Sequence, residues 1–188
     1  MKTMIYFIAL ILFPFFIFAT EHNIDKGRKN LVKFISDAKI ESFEGTTDKI
    51  DGYLVFDGND ILSKSSLYFE VDLRTLDTGI GLRNRHMREE YLETDKYPLT
   101  TFKGKIIKAD KISEGNFKVL AEGDLTIHGV TKKVQTIGQI SNIGNGFHIT
   151  SKFEVRLPDY NIEVPTMMFL KISEIIKLDL DFFTKQVK

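Results

Sequence analysis

Cysteine is absent from all 188 residues. Its absence excludes disulfides, thiolate metal centres and thiol catalysis together, and leaves stability to the core and its hydrogen bonds. Tryptophan is missing too, while phenylalanine occurs 16 times, five of them before residue 19 and eleven after it, so the core is Phe-rich. Neither sign of charge is in excess: 26 basic residues balance 26 acidic ones. A balanced chain carries no electrostatic footprint for nucleic acid or an anionic membrane surface. No G-x-S-x-G elbow, P-loop or dinucleotide fingerprint occurs, so the short motifs of those chemistries are lacking. Without internal repeats, low-complexity tracts or an interdomain linker, a single domain is expected.

A long membrane span is also lacking. The apolar run Met4–Ala19 falls short of the ~20 residues that cross a bilayer. It follows Lys2, contains no acid, ends on the small Ala19 and gives way to the polar TEHNIDKGRKN. This is the pattern of a cleavable export signal over residues 1–19 rather than an uncleaved anchor. Residues 20–188 then form the mature domain, with 25 basic residues left once Lys2 is removed, against 26 acidic. A periplasmic or secreted location follows, with no stable membrane insertion after cleavage.

What the mature sequence does have is strand alternation. LYFEVDLR puts Leu67, Phe69, Val71 and Leu73 on one face and Glu70, Asp72 and Arg74 on the other. FKVLAEGDLTI repeats the pattern with Phe117, Val119, Ala121, Leu125 and Ile127, and FHITSKFEVRL with Phe147, Ile149, Phe153, Val155 and Leu157. IIKLDLDF adds Ile176, Leu178, Leu180 and Phe182. Weaker runs lie near 31–36, 52–56, 100–108 and 132–140, giving about eight strands. Turn residues at 113–116 and at Asn145-Gly146 read as hairpins, the latter with φ > 0 at both positions. Strands with one apolar and one charged face predict an antiparallel sheet wet on one side, and eight in sequence can close into a barrel. The stretch 80–93 instead spaces Leu82, Met87, Tyr91 and Leu92 like a helix, with Asp77 or Thr78 as cap. One short helix across one end of an all-β, antiparallel eight-stranded barrel is the expected fold.

Four histidines invite a metal, but His22, His86, His128 and His148 show no H-x-H or H-E-x-x-H spacing. His128-Gly129 reads as a tight connection, with Gly129 free to take φ > 0. His86 and Glu90, four apart, make either an acid–base pair or a solvated helix face. The inward faces offer a ligand lining: Phe34, Phe56, Phe69, Val71, Phe102, Phe117, Val119, Phe147, Ile149, Phe153, Leu178 and Leu180. Small inward residues, Gly104, Ala121, Gly123, Gly138 and Ser151, either open a cavity or relieve crowding in a closed barrel. Periodicity leaves both readings open.

Four blocks carry a resemblance: DLRTLDTGIGLRNRHM (72–87), ETDKYPLTTFKG (93–104), EGDLTIHGVTKKV (122–134) and FLKISEIIKLDLDF (169–182). On these motifs the chain resembles the YceI-like family of bacterial envelopes. The resemblance implies a lipocalin-like barrel with an elongated apolar interior that holds a long-chain isoprenoid, quinone-like molecule or fatty amide. It implies no enzymatic activity and no cofactor beyond such a bound molecule. One departure is Asn84, where relatives often carry Asp, which removes a carboxylate beside His86. Arg83 and His86 are the candidates for meeting a polar head at the mouth, and Met167, Met168 and Phe169 for adapting to a flexible chain. The expected partner is thus a long-chain lipid or isoprenoid, not nucleic acid, and a homodimer stays open. The competing readings are a ligand-free interaction protein with a filled barrel and a hydrolase-type enzyme using the 83–90 cluster.

Overall fold

A computed structural model describes residues 19–57, 61, 62, 64–164 and 172–187. Residues 1–18 of the expected export signal, and Met167, Met168 and Phe169, lie outside the described residues. The strands are β1 (Ala19–Ile24), β2 (Leu31–Asp37), β3 (Ser42–Thr47), β4 (Ile50–Asp57), β5 (Ser66–Asp72), β6 (Leu99–Ser113), β7 (Asn116–Ile127), β8 (Val130–Asn142), β9 (Phe147–Arg156) and β10 (Ile175–Gln186). All pair antiparallel.

These segments make eight staves. β10 offers one edge to two strands: Ile24 faces Thr184, and Val32 faces Leu180. β1 and β2 are therefore halves of one stave, and β3 and β4, which pair with β2 and β1 respectively, are halves of the next. Asp25 makes the first break by accepting hydrogen bonds from Gly27 N–H at its side chain and from Arg28 N–H at its carbonyl. The buried Asn30 then carries the ladder across the gap, because its Oδ1 accepts from Phe183 N–H. From β4 onward each strand pairs with the next, and β10 returns to β1, so the sheet closes and removes its long edges. The eight runs read from periodicity match the eight staves.

Turn chemistry agrees with the sequence reading in one place and differs in another. His128 and Gly129 take φ of 51° and 73° between the paired Ile127 and Val130, a two-residue type I′ turn. At the β8–β9 turn, however, the left-handed residue is Gly144, with φ of 88°, rather than Asn145 and Gly146. Gly146 is glycine for another reason: a Cβ there would run into the Thr184 carbonyl of the adjoining strand.

After a 3₁₀ turn at Leu73–Thr75, α1 (Gly81–His86) continues as a π-turn over Met87–Tyr91. Neither Asp77 nor Thr78 caps it; the N-cap is Ile80, with no side-chain cap bond. Asn84 reaches back instead. Its Oδ1 accepts from Thr78 N–H at 2.8 Å, and its Nδ2 donates to Asp77 Oδ1 at 2.7 Å. Arg88 completes the tether by donating from Nη2 to the Leu76 carbonyl at 2.7 Å. Among the described residues no helix is long and apolar enough to cross a membrane.

Two apolar clusters fill the ends of the barrel. Leu54, Phe56, Ile106, Ile140, Phe147 and Phe182 belong to the one away from α1. Leu125, Val155, Tyr160, Ile162 and Ile176 form the one beneath the helix.

Candidate functional site

Alternation along each stave turns one residue in two inward, and those side chains enclose a cavity of about 510 Å³. Facing pairs build its wall: Phe69 with Phe102 across β5–β6, and Phe34 with Leu178 across β2–β10. Nine of the twelve expected lining residues are on it, namely Phe34, Phe69, Val71, Phe102, Val119, Ile149, Phe153, Leu178 and Leu180. Phe56, Phe117 and Phe147 are not. Phe56 and Phe147 pack at the far end with ring centroids 5.6 Å apart, and Phe117 packs against the same cluster. Alternation could assign these three to the inside but not to a depth, and at their depth the barrel is plugged.

The plug includes an unexpected member. His22 is only 6% exposed, stacks on Phe56 at 5.5 Å and meets Phe147 edge-on at 4.8 Å. Desolvation there lowers its pKa. Nothing in the polar stretch around His22 signals its burial.

The small inward residues divide between the two readings. Gly104 and Gly123 face each other, and a Cβ on either would sit 2.8 Å from Phe102 Cζ, so this pair makes room for the Phe102 ring. Ala121, Gly138 and Ser151 line the cavity itself.

Charged lining residues gather at the other end, where α1 meets the turn between β2 and β3. Arg83 donates from Nη1 to Glu41 Oε1 at 2.8 Å and from Nε to Thr78 Oγ1 at 3.1 Å, with its guanidinium 4.4 Å from the Phe43 ring centre. His86 also lines this mouth. Its Nε2 lies 3.9 Å from Glu90 Oε1, both groups well exposed. That separation is too long for a hydrogen bond. Ile80 and Leu82 line the same mouth and are 51% and 56% exposed.

The remaining histidines do structural work. His128 is held in the turn beside the mouth: Nδ1 lies 3.2 Å from the Tyr160 carbonyl, Nε2 2.7 Å from Glu93 Oε2, and Tyr97 packs edge-on at 4.6 Å. It thereby ties the β7–β8 turn to the chain leaving the helix. His148 bonds Asp181 at 2.7 Å and stacks on Phe183. Among the described residues no three histidines or carboxylates gather as metal ligands.

Comparison with known proteins follows the same architecture. The family model for the YceI-like domain matches residues 22–183. A UPF0312 protein of Vibrio cholerae is 29% identical over 167 residues, covering 83% of this chain and 85% of the relative. The YceI protein of Shigella flexneri is 29% identical over 156 residues, 77% and 78% of the two chains. Among solved structures, a polyisoprenoid-binding domain from Saccharophagus degradans superposes with a TM-score of 0.71 at 18% identity, over 89% of this chain and 98% of its own. BcnA of Burkholderia cenocepacia gives a TM-score of 0.70 at 17% identity, over 88% and 99%.

Proposed function

The chain belongs to the YceI-like domain family, and from that premise we propose that it is an exported carrier of a long apolar molecule, an isoprenoid, quinone-like compound or fatty amide, and not an enzyme. The observation that carries this reading is the cavity of about 510 Å³ under an apolar wall. That volume lies within the range of small-molecule sites, which disfavours a barrel filled by its own side chains. Each methylene buried contributes ~0.8 kcal/mol before ordering costs, so a long chain binds with few polar contacts. The described name of the Saccharophagus degradans neighbour, a polyisoprenoid-binding domain, supports the same ligand class here. Arg83 and His86 at the mouth would meet a polar end of the ligand. Export rests on residues 1–19 and places the carrier in the periplasm or outside the cell.

The test is native mass spectrometry of the full chain expressed with export, followed by organic extraction of any bound species. A discrete adduct of lipid mass is expected, and Phe69→Asp, which sets a charge into the wall, should abolish it. A bare polypeptide mass that stays bare after incubation with prenyl and acyl chains would sink the carrier reading.

A further inference from the structure

Midway along the cavity the apolar wall is interrupted. β9 runs from Phe147 in the far plug to Arg156 near the mouth, and Ser151 stands halfway between them, facing Gly138 on β8. Thr136, two residues before Gly138, faces Ala121 on β7. Both hydroxyl-bearing residues line the cavity. Their oxygens are 2.8 Å apart, and Ser151 Oγ donates to the Ile137 carbonyl at 2.9 Å.

A hydroxyl has one hydrogen to give. Ser151 spends its own on Ile137, so the bond between the two hydroxyls is donated by Thr136. With both bonds made neither has a hydrogen left, and Thr136, which keeps its lone pairs free, lines the cavity. The pair can accept but not donate. Among the described residues the charged groups on the lining, Glu41, Arg83 and His86, are all at the mouth, so none of them compensates an anion at this depth. The wall is also open here. A Cβ on Gly138 would stand 2.9 Å from the Thr150 carbonyl and 3.7 Å from both Ser151 Cβ and Val119 Cγ2, so the adjoining backbone keeps this position glycine and the serine beside it uncovered. Valine and alanine would fill the same space without burying two hydroxyls against apolar surface.

We propose that Ala121, Thr136, Gly138 and Ser151 form a notch for a neutral hydrogen-bond donor on the ligand, an alcohol O–H or an amide N–H carried by a long apolar chain. This deepens the carrier reading and rests on it. A donor seated on Thr136 leaves both of these bonds in place, whereas an ether or ester oxygen is met only by turning the Thr136 hydroxyl away from Ser151.

The test uses the full exported chain, stripped of bound lipid, and two probes of equal chain length, 1-dodecanol and dodecyl methyl ether. Each competes with a fluorescent acyl probe. The wild type should favour the alcohol by about fivefold, the value of one net hydrogen bond. Thr136→Val with Ser151→Ala should bring the two probes to parity while leaving the ether's affinity in place. Equal binding in the wild type, or a preference that survives the double substitution, overturns the notch and leaves the carrier reading standing. Binding of neither probe to folded wild type overturns both. If the double variant does not fold, the isosteric Thr136→Val alone must lower the ratio, and an unchanged ratio counts against the notch.

Discussion

His22 occupies a position in the far plug that an apolar ring would fill, and its Nδ1 is buried without a hydrogen-bond partner. Burial lowers its pKa from the ordinary 6.5, so the folded chain holds it neutral while the unfolded chain takes up a proton sooner. Its contribution to stability is therefore complete above about pH 6.5, the free imidazole value, and is lost as pH falls toward the folded value. Melting temperatures measured from pH 7.5 down to 5 should fall more steeply for the wild type than for His22→Phe. Identical slopes would place His22 in water. The glycine pair under Phe102 yields a second prediction at this scale. Gly104→Val drives a side chain into the Gly123 backbone and the Phe102 ring, an overpacking that costs typically ~1–3 kcal/mol, read as a lower urea midpoint. Residues like these are where the sequence spoke least. Alternation marked Gly104, Gly123 and Gly138 as inward alike, yet two of them yield to an aromatic ring, while the third borders the cavity and lies close to the Thr150 carbonyl. The difference depends on where the Phe102 ring lies, which no local pattern records.

Elements were far more legible, wherever one face is apolar and the other charged. The staves built on β5, β7, β9 and β10 show that alternation plainly. β1 and β3 do not, for a physical reason. The inward residues of β1 include His22, and Gly45 of β3 is small because it lies against the Phe34 ring, so neither has an apolar stripe to read. The helix was legible from its spacing but not in its anchoring, since the bonds run backward from Asn84 rather than forward from a cap. The amide suits this place because it accepts from Thr78 and donates to Asp77 at once. Its bond to Asp77 also heads the causes that hold that carboxyl below its usual range. Asn84→Asp would set two carboxylates against each other, so α1 should loosen at neutral pH. Hydrogen exchange should quicken across residues 78–92 while the strand amides keep their protection. An exchange pattern unchanged in that segment would show that Arg83 and Arg88 hold the helix down without Asn84.

At the scale of the whole molecule, the carrier reading depends on closure, and closure depends on a pairing the sequence does not announce. Eight alternating runs are equally good material for an open sheet, and an eight-stranded barrel can be filled or hollow. The decision rests on β1, whose His22, Asn23 and Ile24 face Gln186, Lys185 and Thr184 on one side while His22 and Asn23 face Leu54 and Tyr53 on the other. A strand with neighbours on both sides does not tolerate proline, whereas an edge strand does. Asn23→Pro therefore separates the two architectures. In the closed barrel it removes a ladder hydrogen bond from the seam between the first and last staves, and the orphaned partner costs ~1–3 kcal/mol. For a chain of this size that is a fall in melting temperature of roughly 2–12 °C. The freed edges should also show as self-association on size exclusion. The far plug, which His22 shares with Phe56 and Phe147, would open with the seam, and any bound lipid should leave faster than from the wild type. A variant that melts and elutes like the parent would mean that β1 is an edge, and that the cavity opens through the side of the sheet.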